Sequence, residues 1–195
     1  MINNILKSLD AYALVPTHRG EMLIATFSDE SGEEHMCGLI GNPSDHPSPL
    51  CRVHSACITS EIFGSIKCDC AEQLNKSLDM MHDEGCGIII YLNQEGRGIG
   101  ISHKLRAYAL QSKGLDTVDA NRALGLPDDT RDYISCANLL LKLGINNIRL
   151  LTNNPKKLTC LSDSGITCER VSHIVKTGPI AHRYLKTKQL KMGHF

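Results

Sequence analysis

Met22 to Asp29 and His35 to Ile40 are short, largely apolar, β-prone runs separated by the polar stretch Ser31-Gly32-Glu33-Glu34, and that pattern predicts an antiparallel hairpin. Asn42 to Pro49 is rich in proline, serine and aspartate and reads as a loop, after which Leu50 to His54 forms another strand. The period then changes. Ala71, Leu74, Leu78 and Met81 recur at helical spacing, and Gly85 ends that helix. Gly87 to Leu92 is a short buried strand, and Arg97 to Ser112 returns to helix. A further helix runs from about Asp132 to Leu143 and stops at Gly144. It is followed by a strand at Ile148 to Leu151, a helix at Pro155 to Ser162 and a last strand at Ile166 to Val171. Strand and helix alternate in this second part, which favours helices packed on a partly parallel sheet. The expected fold is mixed α/β (α+β): an antiparallel, barrel-like N-terminal part over about residues 1–56, an alternating part over about 57–172, and a basic tail over 173–195 that docks at most as a short helix. All three belong to a single domain.

Composition narrows the classes of partner. With 21 basic and 21 acidic residues among 195, no whole-protein field points to nucleic acid or an anionic membrane. Tryptophan is absent and aromatics are few, which argues against a stacking platform for single strands. Ile88 to Leu92, the longest apolar run, is far too short to span a bilayer, and Met1 to Ser8 has no apolar run after Lys7 as a signal peptide would. Nine cysteines form an odd set in a chain too long for a disulfide scaffold, so a reducing cytoplasm with buried or metal-bound thiols is expected. Cys37, Cys51, Cys86, Cys136, Cys160 and Cys168 default to buried thiols.

The cysteines that change the picture are Cys57, Cys68 and Cys70. A Cys-x-Cys pair projects both sulfurs toward one point if the backbone turns there, and Asp69 with the helix after it provides that turn. Three thiolates suit Zn²⁺ with a position left for water, as in catalytic sites; His54 would instead close a structural Cys₃His site, and three ordinary buried thiols would account for the spacing as well. Glu95-Gly96-Arg97-Gly98-Ile99-Gly100 follows a strand and opens a helix, where glycines let the backbone approach an anion. Glu95 offers a carboxylate for the donor N–H groups of guanine, and Arg97 a partner for phosphate; a tight turn alone would not need either. Thr152-Asn153-Asn154-Pro155-Lys156-Lys157 is either a phosphate site or a capped surface helix. Asp128 to Asp132 contains an Asp–Arg pair fit for proton acceptance and phosphate contact, or simple helix capping. Tyr108 is a catalytic phenol or a core aromatic.

Arg52-Val-His-Ser, Cys57 with Cys68-Asp-Cys70, Gln73, Gln94-Glu95-Gly-Arg97-Gly-Ile-Gly, Lys104-Leu-Arg106-Ala-Tyr108-Ala-Leu and Leu151-Thr152-Asn-Asn-Pro-Lys-Lys157, taken in order, closely resemble GTP cyclohydrolase II over roughly Leu50 to Arg170. The resemblance implies a Zn²⁺ on Cys57, Cys68 and Cys70 that lowers the pKa of its water and supplies hydroxide for attack on guanine C8. Ring opening and a second hydrolysis would then release formate. It further implies Tyr108 at the ring-opening site, Arg131 as nucleophile toward the α-phosphorus and Asp129 as proton acceptor in loss of pyrophosphate. GTP contacts would come from Arg52, Val53, His54, Ser55, Ala56, Gln73, Glu95, Gly96, Arg97, Thr117, Thr152 and Lys157, with Mg²⁺ escorting the triphosphate. The implied product is 2,5-diamino-6-ribosylamino-4(3H)-pyrimidinone 5′-phosphate, the implied pathway riboflavin synthesis and the implied assembly a homodimer. One position departs: where the family usually reads His-Ser-Glu-Cys, this chain has Ala56. That substitution leaves open a specialised branch with an altered product, and a non-catalytic nucleotide-binding zinc module is the alternative of another class.

Overall fold

A computed structural model describes residues 6, 9–115, 117–127, 129–181, 186, 190 and 193, without the side chains of 117 and 118. Strands are β1 Ala11–Thr17, β2 Gly20–Ser28, β3 Glu34–Ile40, β4 Leu50–Ser55, β5 Gly87–Leu92, β6 Asn147–Leu151 and β7 Thr167–Val171. Helices are α1 Ile58–Glu61, α2 Cys70–Glu84, α3 Ile101–Gln111, α4 Thr117–Ala123, α5 Ile134–Lys142 and α6 Pro155–Asp163. All seven strands form one sheet in the order β1-β2-β3-β5-β4-β6-β7. The β1–β2, β2–β3 and β3–β5 pairs are antiparallel, while β4–β6 and β6–β7 are parallel. The expected hairpin is therefore present, with Leu23 opposite Leu39 and Phe27 opposite His35. Antiparallel and parallel parts turn out to be halves of one mixed sheet, and β4 sits on the parallel side although it is read early in the chain.

Two compact units divide the described chain. The first comprises residues up to His54, Leu74–Asn93 and Asp132–His173; the second comprises Ser55–Gln73, Gln94–Arg131 and the described residues from Ile174 on. In the first, the sheet buries both faces. Successive side chains of a strand point to opposite faces, and along β5 Ile88, Ile90 and Leu92 join one apolar cluster while Ile89 joins another. The larger cluster takes Cys136, Ala137, Leu139 and Leu140 from α5 and Leu161 from α6. The smaller one takes Leu74, Leu78 and Met81 from α2, the same residues whose spacing predicts that helix. Helices on both faces suit the near-continuous Ile-Ile-Ile run of β5. Cys37, Cys51, Cys86 and Cys136 are buried, Cys160 and Cys168 half-buried, and all nine cysteines are free. Burial alone pushes the Cys37 thiol up to about 12.

The expected helix from Arg97 starts instead at Ile101, because Gly96 and Arg97 are both left-handed at φ 64° and 66°. Strand β1 and helices α1 and α4 were not expected. Of the basic tail, 179–181 are helical and most of the rest lies outside the described residues. Among the described residues, no helix is long and apolar enough to cross a membrane.

Candidate functional site

The second unit begins where β4 ends. Ser55 and Ala56 lead into Cys57, whose carbonyl accepts from the Ser60 and Glu61 N–H groups to start α1. The Cys57 N–H donates to Glu61 Oε1 at 3.0 Å, so the short helix folds its own carboxylate back on its first residue. Asp69 is buried and its carbonyl accepts from Gln73 N–H, turning the chain into α2 at Cys70. Ser60 Oγ accepts the Ala71 N–H at 3.2 Å and ties the start of α2 to α1. This is the turn that Cys68-Asp69-Cys70 requires, and it brings the sulfurs of Cys57, Cys68 and Cys70 within 4.8 Å of one another.

The spacing can be tested against a metal. Cys57 Sγ and Cys68 Sγ are 3.6 Å apart; sulfurs at about 2.3 Å from a tetrahedral zinc lie roughly 3.8 Å apart. The donor set fits. Its electrostatics fit as well: hydrogen bonds from the Cys68 and Cys70 thiols, then the nearby Lys104 ammonium, hold the Cys57 sulfur as a thiolate far below the ordinary thiol range. Cys68, which shares its proton with Cys57, is held up correspondingly. His54 belongs to the first unit, where its buried ring stacks on Tyr91 at 5.6 Å.

One cavity of the second unit is lined by all three cysteines together with Glu95, Gly96, Arg97, Tyr108 and Arg131, and Ser55 and Ala56 also face it. The segment from Glu95 is a 3₁₀ turn rather than a helix start. Arg97 is buried in the left-handed region, a conformation that disfavours a residue with a Cβ by about 1–2 kcal/mol. What holds it is Thr130, whose N–H and Oγ1 both donate to the Arg97 carbonyl at 3.1 Å. Gly98 is obligatory there: at φ +87° a Cβ would fall 2.2 Å from Thr130 Oγ1. The same clamp positions the following residues. Arg131 forms a bidentate pair with Asp129, Nε to Oδ1 at 2.9 Å and Nη2 to Oδ2 at 2.8 Å. Asp128 lies outside the described residues.

Glu95 is heavily engaged. Oε1 accepts from Gly96 N–H and Lys104 Nζ, each at 2.7 Å, and Oε2 accepts from Ile58 N–H at 2.7 Å. A carboxylate has about four lone-pair sites, so three are occupied before any base is read. On α3, Lys104, Tyr108 and Gln111 form one stripe facing the cavity. The Tyr108 ring lies 4.6 Å from Lys67 Nζ and 5.8 Å from Lys104 Nζ. Burial pushes its phenol up to about 12, against the opposing pull of Lys104 and a hydrogen bond with Thr59. Lys104, Gln111 and the buried Asn121 of α4 carry no role in the sequence analysis, although all three line the cavity. The i, i+4, i+7 spacing of Lys104, Tyr108 and Gln111 was the available signal.

The remaining expected contacts are elsewhere. Gln73 donates its amide to Asp69 Oδ2 in the second unit. Thr117 begins α4, and its side chain lies outside the described ones. Arg52, Val53, Thr152 and Lys157 cluster in the first unit. Arg52 Nη1 donates to the Leu151 carbonyl at 2.8 Å, and the buried Lys157 Nζ donates to the Val53 carbonyl at 2.7 Å, 5.2 Å from the Tyr133 ring. Thr152 Oγ1 accepts the Asn154 N–H, and Asn154 caps α6 through Lys156 N–H at 3.1 Å, as the Asn-Pro pair predicts. A further group, Asp29, Glu33 and His35, also lies within metal-binding spacing. There the Asn93 N–H donates to His35 Nδ1 at 3.2 Å, so Nε2 carries the ring proton and has no lone pair for an ion.

Comparison with known proteins adds an independent line. A family model described as GTP cyclohydrolase II matches residues 9–172. The protein called GTP cyclohydrolase-2 of Shigella boydii serotype 18 is 46% identical over 186 residues, covering 94% of this chain and 95% of the relative. Those of Escherichia coli O9:H4 and of Escherichia coli strain K12 / DH10B match at the same identity and coverage.

Proposed function

The chain belongs to the GTP cyclohydrolase II family, and on that premise we propose that it hydrolyses GTP as the first step of riboflavin synthesis, using zinc held by Cys57, Cys68 and Cys70. The imidazole ring opens at C8, formate and pyrophosphate leave, and 2,5-diamino-6-ribosylamino-4(3H)-pyrimidinone 5′-phosphate remains. The observation that carries this reading is the convergence of three sulfurs at zinc spacing with Glu95, Arg97, Tyr108 and Arg131 on one cavity. When bound, zinc supplies Lewis acidity and a water activated for nucleophilic attack.

The chain's own residues do the rest. Glu95 and the Gly96–Arg97 turn meet the base and its phosphates at the cavity wall. Tyr108 stays a neutral phenol, able to donate a proton as the ring opens. Asp129 holds Arg131 by two hydrogen bonds, which fixes the guanidinium for the α-phosphorus and leaves the carboxylate in place to accept a proton. Ser55, Ala56, Gln73 and Thr117 of the second unit supply further GTP contacts, and Mg²⁺ accompanies the triphosphate. The active species is a cytoplasmic homodimer of a single-domain chain, whose matched residues run through both units.

Incubating the protein with GTP, Zn²⁺ and Mg²⁺ tests the reading directly. Formate, pyrophosphate and the diaminopyrimidinone phosphate in equal amounts are expected by mass spectrometry; recovery of unchanged GTP would leave only a binding module. Ala56 favours a second reading, a relative with an altered product, because it places a buried methyl on the cavity wall where the family usually has a carboxylate. A different ring-opened product in the same assay would select it. Arg131→Ala should lower pyrophosphate release about 10³-fold, since a positioned charged group at a phosphoryl centre contributes on that order. Zinc content should be unchanged, and normal pyrophosphate release would remove Arg131 from the reaction.

A further inference from the structure

Lys104 is the one half-buried ammonium that touches a sulfur of the cysteine cluster among the described hydrogen bonds. Its side chain is 11% exposed, and Nζ lies 3.1 Å from Cys57 Sγ and 2.7 Å from Glu95 Oε1. An ammonium held out of water needs compensating negative charge, and this one has a carboxylate on one side and a sulfur on the other. Glu95 closes the figure, because its second oxygen accepts the N–H of Ile58, the residue bonded to Cys57. Cys57, Lys104, Glu95 and Ile58 thus form a closed ring of hydrogen bonds and one peptide link, built from three separate parts of the chain. Gly96 N–H fastens the same carboxylate to the turn that carries Arg97.

We propose that Lys104 is a positioning residue of the zinc centre, aiming the Cys57 sulfur and offsetting the charge of its three thiolates through the Cys57–Lys104–Glu95 ring. The inference rests on the zinc reading given above. Three thiolates around a dication leave one net negative charge, and the ammonium sets a positive charge directly against the Cys57 sulfur, while Glu95 on its other side keeps the whole group anionic. A donor on the Cys57 sulfur also reduces the electron density that this ligand gives the metal, in the way that groups hydrogen-bonded to metal ligands tune a site. Glu95 then has a place in the centre besides any contact with guanine: it holds the ammonium against the sulfur.

The test compares wild type, Lys104→Met and Lys104→Arg for zinc affinity by chelator competition, and for the sulfur-to-metal charge-transfer band after cobalt replaces zinc. Lys104→Met should bind zinc 10–100-fold more weakly, because the lost aim of the Cys57 sulfur outweighs the gain in its donor strength, with the cobalt band moved to longer wavelength because the sulfur lone pair is no longer stabilised. Lys104→Arg, which keeps the charge and a donor, should lie close to wild type in both. Wild-type affinity and band position in Lys104→Met would overturn the proposal. If that variant does not fold, Lys104→Gln carries the same comparison, and wild-type values there overturn it equally. A wild-type chain that takes up no zinc would sink the zinc reading itself; one that takes up zinc while Lys104→Met matches it sinks only the role of Lys104.

Discussion

Replacing Cys68 by serine is expected to strip the zinc and reduce GTP turnover about 10⁴-fold or more, the size of effect that follows when the source of an activated nucleophile is removed. Cys68 is buried, and its sulfur is 3.6 Å from that of Cys57. A serine hydroxyl is a hard, weakly acidic donor and does not replace a thiolate on zinc. The fold should survive, because neither apolar cluster contains Cys57, Cys68 or Cys70. Metal analysis on the purified variant, a thermal melt and a formate assay read the three consequences separately. Retained zinc and turnover would show that the sulfurs are ordinary buried thiols. Loss of the melting transition would instead make the metal structural, since closed sites contribute folding free energy outright.

How much of this could be read along the chain follows from where each determinant is written. Strands β3 to β6 are legible because burial imposes alternation or a continuous apolar run on them, whereas β7 is mostly exposed and is marked chiefly by its place after the α6 turn. Strand β1 is not: it is an edge strand in which Ala11 to Leu14 are exposed, and Pro16 sits where only an edge tolerates it. Helix α3 begins four residues later than its composition suggests, since nothing local announces that Arg97 will be held left-handed by Thr130, 33 residues away. The three cysteines are legible from a spacing that their turn realises, with Asp69 and α2 placed as expected. Lys104 was visible only as part of a motif. Its contact with Cys57 spans 47 residues and depends on α3 and α1 meeting, which no spacing encodes. Glu95 is the converse: its residue type pointed outward to a guanine, while much of its hydrogen-bonding capacity is turned inward to Ile58, Gly96 and Lys104.

Tyr108→Phe isolates the second half of the reaction, because it removes a single hydroxyl from a ring whose position is fixed by other contacts. The ring packs beside Lys67 and Lys104 at 4.6 and 5.8 Å, and neither contact involves the phenolic oxygen. The variant should therefore keep its zinc and its pyrophosphate release and lose from its stability only the Thr59 hydrogen bond, while formate release falls about 10³-fold, within the range for loss of a general acid–base group. A formylated intermediate, one formyl group heavier than the diaminopyrimidinone phosphate, should accumulate in its place. The pH dependence gives an independent check on the same oxygen. A phenol raised to about 12 stays almost wholly protonated up to about pH 10, so the wild-type rate of formate release should show no alkaline limb between pH 7 and 10 that Tyr108→Phe abolishes. An ordinary phenol, titrating near 10, would already lose part of its proton over that span. Undiminished formate release from Tyr108→Phe would return Tyr108 to the role of a wall residue. Loss of pyrophosphate release together with formate would place the hydroxyl at GTP binding rather than at ring opening, because the two leaving groups depart from opposite ends of the nucleotide and only a shared binding defect slows both.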